Sequence, residues 1–120
     1  MDEVHCLRCG RVLRSAKSIA DKRGRRCKSI VLAAARHTEL ADYTPAQVEH
    51  ANEVIEQGGI VPTSRPHLWT AVSSDGTTTY LVALQGCTCP AGLRQRRCYH
   101  RAAAAILDTA RPARLARRAA

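Results

Sequence analysis
The chain has 120 residues, with 19 Lys and Arg against 10 Asp and Glu, a formal net charge of +9, no Phe, one Trp, one Met and three Tyr. Alanine-rich apolar content buries little area at about 25 cal/mol per Å², so a conventional core would be thin, and a metal or a partner is expected to make up the deficit in a single domain or two very small lobes. No stretch approaches the ~18 apolar residues of a membrane span, and Met1 to His5 lacks the cationic-then-apolar pattern of a signal peptide, so a cytoplasmic location is expected, where the six cysteines would bind metal rather than form disulfides.

Along the chain, Cys6-Leu7-Arg8-Cys9-Gly10-Arg11 reads as a knuckle, two thiols on a tight turn with Gly10 giving the backbone room. Residues 14–26 are polar and cationic, and Gly24 breaks them before Cys27. From Lys28 to about Leu40, Ile30, Val31, Ala34 and Ala35 recur at helical spacing, which predicts a helix beginning right after Cys27. A second helix is punctuated by Thr44 as N-cap, Pro45 at the first helical position and Gln47 completing a capping box. Its apolar stripe is Val48, Ala51, Val54 and Ile55, and Gly58-Gly59 ends it. Glu49, Asn52, Glu53 and Glu56 form its solvated face.

Ile60-Val61-Pro62 leads through Pro66 to Leu68-Trp69-Thr70-Ala71-Val72, and Asp75-Gly76 signals a hairpin. The second strand runs from Thr77 to Leu84, with Tyr80, Val82 and Leu84 on one face and Leu81 and Ala83 on the other. A third helix spans Tyr99 to about Ala110 and is stopped by Pro112. The expected architecture is α+β: an N-terminal knuckle and helix (1–42), a connecting helix and linker (43–66), a ββα zinc finger (67–110) and a basic tail (111–120).

Two cysteine clusters carry the chemistry. Zinc favours four tetrahedral ligands drawn from thiolate and imidazole. Cys87-x-Cys89 sits at a strand end, and Cys98-x-His100 opens a helix whose free N–H groups favour thiolate. Zinc would fasten the two short elements together. Cys87-Thr88-Cys89-Pro90 followed by Arg97-Cys98-Tyr99-His100-Arg101-Ala102-Ala103-Ala104 resembles the SWIM zinc finger, CxCx(n)CxH, over roughly residues 67–109. The resemblance implies zinc on Cys87, Cys89, Cys98 and His100 and a role in binding nucleic acid or protein, without catalysis.

Cys6-x₂-Cys9-x₁₇-Cys27 with Gly10-Arg11-Val12-Leu13 resembles, over roughly residues 5–30, a short cysteine-containing phage-type domain of unknown function, with Arg25-Arg26 in place of the usual approach to the third Cys. The knuckle spacing of Cys6, Cys9 and Cys27 argues for a treble-clef-like zinc site, so two zinc ions are expected in all. Its fourth ligand stays open among His5, His37, His50 and water. His37 lies about 15 Å along the helix from Cys27, at 1.5 Å per residue.

The charge is segregated. Residues 8–28 are crowded with Lys and Arg. Arg94, Arg96, Arg97 and Arg101 surround the second cluster, and Arg114, Arg117 and Arg118 extend into the tail. Between Arg36 and Arg65 there is no Lys or Arg, while Glu39, Asp42, Glu49, Glu53 and Glu56 occur. Zinc would hold the Arg loop rigid, so its cations lose less entropy on meeting phosphates, and the scarcity of aromatics favours duplex backbone contacts over base stacking. The alternative is an adapter or phage-type regulator docking on a larger machine through the acidic helix. No phosphate-binding Gly loop, nucleophile elbow or His-x-Glu deaminase signature is present, and the better cluster is closed by four protein ligands, so neither enzyme activity nor a small-molecule substrate is expected.

Overall fold
Helix α3 (Pro45–Glu56) forms where its punctuation places it. The Thr44 hydroxyl accepts from the Gln47 N–H at 3.1 Å, and the Thr44 N–H donates to Gln47 Oε1 at 2.9 Å, so the capping box is closed in both directions. Ala51, Val54 and Ile55 are its buried residues. In the computed structural model, which describes residues 3–112, this helix lies against α5 (Tyr99–Thr109), and α2 (Arg25–His37) packs on α5 as well. The contact is made of small side chains: Ala51, Ala102, Ala103 and Ala104 are fully buried. Alanine contributes little transfer free energy, but it lets helix axes approach closely, and this is how an alanine-rich chain closes a core.

The strands form two antiparallel sheets among the described residues. β1 (Val4–His5) pairs with β2 (Val12–Leu13), in register Val4 with Leu13, and carries the knuckle. The second sheet has the order β3 (Ile60–Pro62), β4 (Leu68–Val72), β5 (Thr79–Ala83) and β6 (Gly86–Cys87). The expected hairpin is its central pair, with Trp69 opposite Val82.

Four features differ from the sequence expectation. Ile60–Pro62 is not a linker but an edge strand, with Ile60 opposite Ala71 and wholly buried. Pro62 is tolerated at its last position, where no further ladder donor is needed. Strand β5 stops at Ala83, because Leu84 and Gln85 make the turn into β6, so Leu84 is exposed rather than sharing a face with Val82. Helix α2 starts at Arg25, with Gly24 as N-cap, which puts Cys27 inside its first turn instead of before it. A short helix α1 (Ala16–Asp21), capped by Ser15, occupies part of the polar stretch and buries none of its residues. It has no apolar stripe for sequence patterning to detect.

The main core joins α2, α3, α5 and the four-stranded sheet, with Ile60, Ile106 and Val82 its largest fully buried side chains. Each contributes about 1.5–3 kcal/mol relative to exposure. Cys87, Cys89 and Cys98 belong to this core, whereas Cys6, Leu13 and Cys27 form a separate small cluster. The knuckle is thus a satellite whose helix is shared with the main body. No described helix is long and apolar enough to cross a membrane.

Candidate metal centres
Three elements deliver the four C-terminal donors. Cys87 ends β6, Cys89 is the N-cap of a short helix α4 (Pro90–Leu93), Cys98 is the N-cap of α5, and His100 lies in the first turn of α5. Their three Sγ atoms and one imidazole nitrogen all lie within 4.8 Å of one another, and all four residues are buried. The Cys87 Sγ to His100 Nδ1 distance is 3.8 Å. Ligand atoms about 2.0–2.3 Å from a central ion in a tetrahedron stand ~3.5–3.8 Å apart, so the cluster needs only a small contraction to close on a metal.

The surroundings hold the donors in ligating form. His100 Nε2 lies 3.1 Å from the Val72 carbonyl, which can only accept, so Nε2 is the donor there and Nδ1 is the nitrogen that faces the thiols. Tyr99 and Tyr80 flank the ring, with centroids 4.1 and 5.6 Å away. The Cys89 N–H donates to Cys87 Sγ and the Gly92 N–H to Cys89 Sγ, each at 3.4 Å. Hydrogen bonding from Cys87 holds the Cys98 thiol down to about 4 against its burial, while the same bond, together with burial, pushes Cys87 up. A divalent cation bound there would displace the thiol protons of the cluster. Gly92 is required by space: a Cβ there would lie 1.9 Å from the Cys87 carbonyl oxygen.

At the N-terminal cluster, Cys6 and Cys9 sit on the knuckle, where the Cys6 N–H donates to the Arg11 carbonyl at 2.7 Å and Gly10 takes φ +80°. Cys27 faces them from the first turn of α2, and the three sulfurs again lie within 4.8 Å of one another. Burial raises the Cys6 thiol, but the backbone N–H groups of Cys9, Gly24 and Arg8 outweigh it and bring it to about 7. Cys27 is raised, chiefly by burial, although Arg8 Nη1 donates to its Sγ at 3.4 Å. Arg23 is 4% exposed, and its Nη1 donates to the Ile55 carbonyl at 3.1 Å. Burial lowers its pKa, and the Cys6 and Cys27 sulfurs oppose that shift.

Three histidines were open as the fourth ligand here, and none joins the cluster. His5 Nδ1 bonds the Gly10 carbonyl at 2.9 Å, His37 ends α2, and His50 packs edge-on to Tyr99. Among the described residues the N-terminal site is a three-thiol site. The chain matches no family model, no curated protein and no solved structure.

Of the arginines singled out in the sequence, Arg94, Arg96 and Arg97 are exposed on the loop between the two ligand pairs. Arg97 pairs with Asp42 at 3.5 Å. Arg101 is committed to the backbone, its Nε and Nη2 donating to the Leu84 carbonyl at 3.1 and 3.0 Å. Arg94 and Arg96 form no side-chain hydrogen bond or ion pair with the described residues. Arg114, Arg117 and Arg118 lie outside the described residues. Sequence reasoning missed Arg8, Arg23 and Val72. The first two looked like part of a general basic run, and a backbone carbonyl supplied by a distant strand leaves no signal in the side-chain pattern.

The two clusters can each take a metal ion. The C-terminal one offers four donors, enough for a tetrahedral set, and the N-terminal one offers three cysteine sulfurs with two guanidiniums nearby.

Proposed function
We propose that this chain is a non-enzymatic two-zinc protein whose C-terminal half is a SWIM-like finger and whose function is to bind duplex nucleic acid through the phosphate backbone. The observation that carries the reading is the loop Arg94-Gln95-Arg96-Arg97, pinned at one end by Cys89 and at the other by Cys98. A loop closed by a metal loses little further entropy on binding, and Arg94 and Arg96 have their forks available for phosphate oxygens. Three soft thiolates with one imidazole favour zinc over harder divalent ions. The absence of an open coordination position at the C-terminal set argues for a structural ion.

The test is binding of a mixed-sequence duplex by protein of known zinc content, from low to physiological salt. Binding should weaken steeply with salt, and a chelator should abolish it. Replacing Arg94 and Arg96 together by Ala should reduce the slope of log K against log salt by about 2, at roughly 0.9 per phosphate contact. Zinc-replete protein that ignores duplex at low salt would sink this reading.

One observation favours a second reading, a protein adapter. Tyr43, Pro45 and Val48 form a groove with Glu49, Glu53 and Glu56 along the outer face of α3. Reversing those three glutamates to Lys should leave or strengthen duplex binding under the first reading, and abolish partner capture under the second.

A further inference from the structure
Away from the Arg94 loop, a cavity of about 330 Å³ opens where the knuckle meets the 62–67 loop and the end of α5. Val31, Leu68, Trp69 and Leu107 give it an apolar lining, and Arg8, Arg23, Arg65 and Arg111 supply four cations. None of the described residues lining it is acidic. His67, in the left-handed region at φ +61°, also lines it. Its Nδ1 stands 2.7 Å from Asp108. Arg23 is buried, and its Nε has no hydrogen-bond partner among the described residues.

The charges select a ligand class. Asp108 answers one cation through Arg111, at 3.7 Å. If the knuckle holds a divalent ion as proposed above, that ion with three thiolates carries one negative charge beside Arg8 and Arg23, which answers a second. Two positive charges are left around an apolar lining. A carboxylate or a phosphodiester brings only one negative charge, whereas a phosphate monoester, with its second pKa near ~6, brings close to two at pH 7. Guanidinium forks match its oxygens in bidentate fashion. The volume is at the lower end of ligand sites, roughly 300–1,000 Å³, which suits a group the size of one nucleotide.

We propose that this cavity binds a phosphate monoester carried on a flat or apolar group, supplied either by a free mononucleotide or by the 5′-phosphorylated end of a strand. Arg65, exposed at the rim and without a side-chain hydrogen bond or ion pair to the described residues, is the cation that the ligand reaches first. Trp69 is the single tryptophan of the chain and lines the cavity, so its fluorescence reports occupancy.

The experiment titrates zinc-quantified full-length protein with AMP, adenosine and two tetrathymidylates, one 5′-phosphorylated and one 5′-hydroxyl. AMP or the phosphorylated strand should change Trp69 emission saturably. The phosphate-free counterparts should bind at least about 10-fold more weakly, and Arg65→Ala should lose about 10-fold in affinity for the phosphorylated ligand. Tighter binding of the phosphorylated strand than of AMP identifies a strand end as the source, and the reverse identifies a free nucleotide. Equal binding of AMP and adenosine, unchanged affinity in Arg65→Ala, or no response to any phosphorylated ligand in protein carrying both zinc ions would each overturn the proposal. Zinc missing from the knuckle would instead defeat the metal reading, on the same sample and by a separate readout.

Discussion

Gly92→Ala tests the geometry of the C-terminal centre most directly. The added Cβ would stand 1.9 Å from the Cys87 carbonyl oxygen and 2.6 Å from its carbon. To restore ordinary contact, the Cys87 backbone must retreat by about 1.5 Å. Those atoms belong to a strand paired with Val82, so no flexible side-chain end can yield. Ligand distances in a zinc site tolerate shifts of only about 0.2 Å. The strain of overpacking against backbone is about 2–3 kcal/mol, equivalent to roughly 30- to 150-fold in zinc affinity. The Gly92 N–H bond to Cys89 Sγ would be disturbed as well. Competition with a chelating dye should therefore resolve two classes of zinc, with only the C-terminal class weakened. Gly86→Ala is the control, because a Cβ there meets nothing within 4 Å, and it should leave both classes unchanged. If Gly92→Ala holds zinc as tightly as the parent, or if Gly86→Ala does equal damage, the argument from close backbone approach is wrong.

Two further outcomes follow from local structure. Thr44→Ala removes the N-cap acceptor and opens the capping box, so it should cost about 1 kcal/mol and lower the melting temperature by roughly 4 °C, with zinc content unchanged. The Asp75 carboxyl accepts from the Ser73 hydroxyl and from the Thr77 hydroxyl and N–H, which hold it at about 2, below its ordinary 3.8. Because the folded value is depressed, the stability it contributes is full above about pH 4 and is lost as pH falls through 2. An NMR titration should find this low midpoint, and Ser73→Ala should move it up toward 3.8. A midpoint already at 3.8 in the parent would refute the turn geometry.

The C-terminal donor cluster was legible because its information is local. Cys87-x-Cys89 and Cys98-x-His100 each place two donors within three residues, the first where a strand end runs into the cap of α4 and the second at the start of α5. The capping box of α3 and the β4–β5 hairpin were legible for the same reason. The knuckle gave its three sulfurs but no fourth ligand, and the structure adds no histidine to it. The misses depend on distant partners. Ile60–Pro62 looks like a proline-bounded linker until Leu68–Val72 supplies the ladder. The Leu84 carbonyl, which the turn between β5 and β6 brings within reach of Arg101, was likewise invisible in the local pattern.

The sequence by itself determined which residues can ligate a metal, where the central helix and hairpin begin, and how charge is divided along the chain. Spacing and turn chemistry act over a few residues, and they are written in the order of the residues. Only the tertiary structure decided that the knuckle helix joins the same core as the C-terminal cysteines, that the Val72 carbonyl faces His100 Nε2, and that Arg8 and Arg23 converge with Arg65 and Arg111 on one cavity. Those relations join residues 28 to 103 positions apart. They arise when alanine faces let α2, α3 and α5 close on one another, a consequence of packing that no local pattern encodes.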